Sequence, residues 1–131
     1  MTKLLKGLLV AGGLLFTAMA IAHFFSIKVP GLFVYYDTPF YNYQDKVISF
    51  AVLAYVALFR IALKHKDVVP YILTVMVATV AGLMYINTSP EFIVLLEEGQ
   101  STAPYWAQII NIACYSALLA FAYLRDLKLT K

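Results

Sequence analysis

The sequence predicts an all-α integral membrane protein, a single domain over residues 1–131 built as an up-and-down bundle of four transmembrane helices with both termini in the cytoplasm. Three observations predict it. The chain is 63% hydrophobic and only 13% charged, with a mean hydropathy of +0.81, which is more apolar surface than a soluble core of this size can bury. Its apolar residues gather in four long runs, and a run that crosses about 30 Å of hydrocarbon must satisfy its own backbone, which makes each run a helix. The basic residues stand at the ends of those runs, where a bilayer meets water.

The first span, residues 4–27, follows Lys3 and Lys6. A basic start, an apolar stretch and Ala18-Met19-Ala20 also describe a secretory leader. Because the apolar run continues through Ile21, Ala22, Phe24 and Phe25, the segment is expected to be retained as a helix. Residues 28–46 form an aromatic connection in which Phe33, Tyr35, Tyr36, Phe40, Tyr41 and Tyr43 lie among Pro30, Gly31, Asp37 and Pro39. Amphipathic rings settle at headgroup level, so this loop is expected to lie along the interface. The second span covers residues 47–63, and Arg60, Lys64, His65, Lys66 and Asp67 make a polar turn. The third covers residues 68–86, with Pro70 in its first turn, where a missing N–H costs least. Asn87-Thr88-Ser89-Pro90 ends it with turn chemistry. The acidic loop 87–103 holds a short apolar piece, Phe92 to Leu96, expected to form one or two interfacial helical turns. The fourth span covers residues 104–124, with Ser101 and Thr102 as caps and Tyr105 and Trp106 at the interface.

Orientation follows from the charges. Lys3, Lys6, Arg60, Lys64, Lys66, Arg125, Lys128 and Lys131 flank the termini and the second loop, and they are eight of the ten basic residues. Against Lys28 and Lys46, the first and third loops carry Asp37, Asp45, Glu91, Glu97 and Glu98. Basic segments stay inside, so a multi-pass protein of the inner (plasma) membrane with both termini cytoplasmic is expected. The same placement speaks against nucleic acid as the partner of the +3 net charge.

Between helices in lipid, close approach of small residues supplies much of the attraction. Gly7 with Ala11, Ala18 with Ala22, Ala78 with Gly82, and Ala113, Ala117 and Ala120 offer such faces, either to each other or to a partner subunit.

Polar groups at membrane depth carry the functional signal. His23, Ser49, Tyr85, Gln108 and Asn111 all fall in the outer leaflet, and Gln108, Asn111 and Tyr115 share one helical face. One reading makes them a ligand-binding pocket open to the outer surface, with His23 as its titratable member. The other has them bond to one another across helices and fix register; it is preferred here because no span has an ionised group at its centre. Tyr35, Tyr36, Asp37, Gln44, Asp45 and Trp106 are expected to form an interfacial strip, serving as a lid over that pocket or as a docking surface.

No catalytic residues emerge. The chain has no GxSxG elbow, HExxH pair or phosphate loop, and Cys114 is its only cysteine. No metal site and no cofactor are expected, since His65 lies in the cytoplasmic turn and cannot pair with His23 across a haem. The leading expectation is a non-catalytic accessory or assembly subunit of a larger membrane complex, with membrane lipid and other membrane-protein subunits as partners. The alternative is a protein that binds, or binds and moves, a quinone, lipid or other small amphiphile in the outer-leaflet pocket.

Overall fold

A computed structural model describes residues 1–29, 36–37 and 39–129. Their regular structure is helical throughout: α1 (Lys3–Phe24), α2 (Tyr41–Ala62), a 3-10 turn (Lys66–Val68), α3 (Val69–Asn87), α4 (Pro90–Ile93) and α5 (Ala103–Leu129).

Several boundaries differ from those the hydropathy pattern implies. Thr2 caps α1, its hydroxyl accepting from the Leu5 N–H at 3.4 Å. The helix stops at Phe24 rather than Ile27, because the chain turns left-handed at Ser26 (φ 52°). α2 begins at Tyr41 rather than Val47, so the last third of the aromatic connection is helix. Its buried residues Asp45, Ser49, Val52 and Phe59 fall at helical spacing, and the charge among them has a partner on α1. Pro70 lies in the first turn of α3. In the acidic loop the single turn α4 covers Pro90–Ile93, earlier than Phe92 to Leu96, because Ser89 caps it by accepting from the Phe92 N–H. α5 continues past Leu124 to Leu129, since Leu119, Ala122 and Asp126 keep to one buried face beyond the point where the apolar run ends.

The four long helices form a ring in which α1 packs most extensively on α2 and α3 on α5, while narrower α1–α5 and α2–α3 contacts close it. Neighbours alternate in direction. His23 near the end of α1 meets Asp45 near the start of α2, Thr2 meets Asp126, and Lys66 before α3 also meets Asp126 near the end of α5.

At the end carrying the termini the core is tight. Leu5, Leu9, Phe59, Ala62, Val69, Ile72, Leu119 and Ala122 have no exposed surface. The Phe59 ring lies 5.5 Å from that of Phe16 and 6.2 Å from that of Tyr115, and the Tyr115 hydroxyl donates to the Leu8 carbonyl at 2.7 Å. Gly12 makes this possible, because a Cβ there would lie 2.5 Å from Phe59 Cε1 and nearer still to Tyr115 Oη. The same end is tied by Asp126, which is fully buried. It accepts from the Thr2 N–H, pairs with Lys66 Nζ at 3.3 Å, and lies 3.9 Å from the amine of Met1.

Among the described residues, three helical segments are long and apolar enough to cross a membrane: Lys3–Phe24, Lys66–Asn87 and Ala103–Leu129. α2 is as long as α1, at 22 residues. It is set apart by Asp45, Lys46 and Arg60 within its length.

Candidate functional site: an apolar cavity under a polar layer

At the opposite end of the bundle the core loosens. α1 brings His23 to its last turn, and α2, entering antiparallel, brings Asp45 to its second. His23 Nδ1 and Asp45 Oδ1 lie 3.1 Å apart, and each residue is 5% exposed. A carboxylate this deep persists only when partnered, and the imidazole N–H supplies the partner. The pair joins the two helices at one level and gives the buried carboxylate of α2 a hydrogen-bond partner. Among the described residues no group of three or more His, Cys, Asp or Glu side chains gathers at one place.

Beneath this pair lies a cavity of about 220 Å³, partly open, to which all four long helices contribute. Its walls are mostly apolar. Phe16 and Tyr55 stack across the α1–α2 seam with ring centroids 4.7 Å apart and planes 3° from parallel. Met19 from α1 and Met76 from α3 face the same space, and His23, Thr79, Tyr105 and Gln108 supply the polar groups. The Thr79 hydroxyl donates to the Val75 carbonyl at 2.9 Å and accepts from that of Tyr55, so both are satisfied in the wall. The Gln108 side chain makes no hydrogen bond to any described residue. A smaller chamber of about 40 Å³ adjoins the first, sharing Phe16, Met19, Met76, Gln108 and Ile112 with it and adding Asn111 and Tyr115.

The expected pocket residues are thus divided. His23 and Gln108 border the large cavity, and Gln108 and Asn111 border the small one. Ser49 is buried on the α1–α2 seam, where its hydroxyl donates to the Lys46 carbonyl at 2.6 Å, away from the cavity. Tyr85 is 78% exposed and points out of the bundle. Three spacings decide this: from Met76 through Thr79 to Leu83 one face of α3 looks inward, and Tyr85 falls off it.

The interfacial strip is divided as well. Asp45 belongs to the interior and not to any docking surface, because its charge is buried against His23. Tyr43 is exposed, as is Gln44, and Asp37 pairs with Lys28 at the surface. The Tyr36 ring leans on that of Tyr105 at 5.8 Å, and its hydroxyl accepts from the Ser101 N–H at 3.3 Å. Phe92 meets Tyr105 edge-on at 4.9 Å. These rings bring the first and third connections together beside a residue that lines the cavity. Trp106, next to Tyr105, is half-buried. Tyr35 lies outside the described residues.

Sequence reasoning missed Tyr55, Thr79, Met19, Met76 and Tyr105 as cavity residues. The visible signal was their register, since Met76 and Thr79 share a face of α3, and Met19 and His23 share one of α1. Asn87 was read only as turn chemistry, yet it is 4% exposed and neither side-chain polar atom has a hydrogen-bond partner. It lies one turn beyond Leu83 on the inward face of α3.

Compared with known proteins, the chain matches no family model, no curated protein and no solved structure.

Proposed function

We propose that the protein crosses the inner membrane four times, with the termini and the basic Lys64–Asp67 turn in the cytoplasm, and binds a small amphiphile between its helices. The observation that carries this reading is the cavity of about 220 Å³ walled by all four long helices. Interiors are packed to crystal density, so an apolar space of this size in a small bundle forgoes the contacts that a tight core makes. The terminal end of the same bundle shows that these helices can pack closely. A ligand that fills the space recovers the contacts, and the Gln108 amide gives it an orienting hydrogen bond. Under the proposed topology the cavity lies toward the outer face, with the Tyr36, Phe92 and Tyr105 rings as its roof.

The fourth crossing rests on the His23–Asp45 pair, which removes an uncompensated carboxylate from α2 before the helix meets hydrocarbon.

The test is native mass spectrometry of the full chain drawn directly from its own membrane into nanodiscs. The expected spectrum shows a bound lipophile whose occupancy falls at least tenfold in Ile112→Phe, which fills the cavity, and is unchanged in Tyr85→Phe. Protein that carries no adduct when drawn directly from its membrane overturns the reading.

Association with other membrane subunits is a second reading, favoured by a separate observation. Gly7 and Ala11 on α1, and Ala78 and Gly82 on α3, are exposed, and an added Cβ at either glycine would meet nothing within 4 Å. Those small-residue faces are not used within the chain. Recovery of only a monomer from native membranes in mild detergent counts against this role.

A further inference from the structure

The size of the cavity and the chemistry of its walls restrict what fits. We propose that the site receives a flat ring, a monocyclic or bicyclic aromatic or quinonoid head bearing an oxygen substituent, held between Met19, Met76 and the Phe16–Tyr55 stack and hydrogen-bonded by Gln108. This rests on the amphiphile-binding reading above and narrows it to a chemical class.

Volume gives the first argument. An apolar protein cavity of about 150 Å³ is known to accept benzene. A space of about 220 Å³, adjoined by a further 40 Å³, takes a substituted or fused ring and leaves no room for a diacyl lipid. Any tail must leave through the partly open side.

The walls give the second. Two methionines face the cavity from α1 and α3, and thioether sulfur is polarisable and makes favourable contacts with ring edges. Phe16 and Tyr55 are already parallel, so a third ring can continue the stack in an offset arrangement. A flexible chain of equal carbon number gains the same burial but gives up internal rotations when confined, a loss that a rigid ring avoids.

The polar groups give the third. The Tyr55 and Thr79 hydroxyls are bonded to each other and His23 to Asp45, and Tyr105 is engaged by neighbouring rings, whereas the Gln108 side chain makes no hydrogen bond to a described residue. An amide both donates and accepts, so it takes a carbonyl or a hydroxyl on the ring equally well.

Equilibrium dialysis of the full chain in nanodiscs, with empty nanodiscs subtracted, tests this using 1-naphthol and decan-1-ol, which match in carbon number and in their single hydroxyl. Naphthol is expected to bind at least tenfold more tightly than decanol. Its affinity should fall about tenfold in Gln108→Leu, the effect of one lost hydrogen bond, and vanish in Ile112→Phe. Equal binding of the two alcohols, both lost in Ile112→Phe, overturns the ring proposal while leaving the cavity reading intact. Tight naphthol binding that ignores Gln108→Leu overturns the hydrogen-bond assignment. If neither probe binds beyond the empty nanodiscs, both this inference and the amphiphile-binding reading fall.

Discussion

Gly12 shows how one missing side chain sets the spacing of three helices. It sits on α1 where Phe59 of α2 and Tyr115 of α5 converge, and Tyr115 is held by its bond to the Leu8 carbonyl, so neither ring has an easy retreat. Gly12→Ala should lower stability by about 1–3 kcal/mol, the usual effect of overpacking. Thermal unfolding in detergent followed by circular dichroism checks this, with Gly7→Ala as the control that meets no neighbouring atom and should show no loss. The two glycines look alike in sequence, each within the first apolar run. What separates them is the position of a tyrosine far along the chain, which spacing alone does not reveal. His23 was legible as an interior polar residue because its depth in an apolar run marks it. Its partner was not, because Asp45 follows Gln44 and precedes Lys46 in a stretch that reads as solvated.

At the scale of the element, α2 is the helix whose character depends most on a neighbour. Asp45, Ser49, Val52 and Phe59 fall on one face, so the helical period extends into the polar segment that hydropathy assigns to a loop. Periodicity and hydropathy disagreed here, and periodicity prevailed because a buried partner removed the cost of the charge. α5 repeats the lesson at its far end, where Leu119, Ala122 and Asp126 continue the inward face past Leu124. The dependence of α2 on α1 predicts an asymmetric mutant cycle. His23→Leu leaves the Asp45 carboxylate buried and alone and should cost about 3–5 kcal/mol. Asp45→Leu leaves an imidazole that can remain neutral and should cost less, and the double variant should recover most of the His23→Leu loss. Unfolding free energies measured in the same detergent decide it; equal and additive losses would show that the two side chains do not interact.

For the whole molecule, the proposed topology rests on the alternation of basic and acidic connections and can be tested directly. In a Cys114→Ala background, single cysteines at Lys64 and Asp67 should resist a membrane-impermeant thiol reagent applied to intact cells, whereas cysteines at Gln44 and Glu97 should react. Labelling of the Lys64–Asp67 turn from outside would reverse the orientation. The all-helical class was legible in the sequence, because long apolar runs must satisfy their own backbone, while the arrangement was legible only in part, because the first connection is long enough to allow others. The cavity was not. It arises from a difference in packing between the two ends, Gly12 and Phe59 drawing one end together while the bulk of Phe16, Tyr55 and two methionines holds the other apart, and that balance belongs to shape rather than to pattern.

Asp126 carries a consequence for biogenesis. One carboxylate gathers the amide that begins α1, the lysine that precedes α3 and the closing turn of α5. Those three points lie far apart along the chain, so the Asp126 contact that ties the start of α1 needs α5 to be in place, whereas the His23–Asp45 contact at the other rim needs α1 and α2 alone.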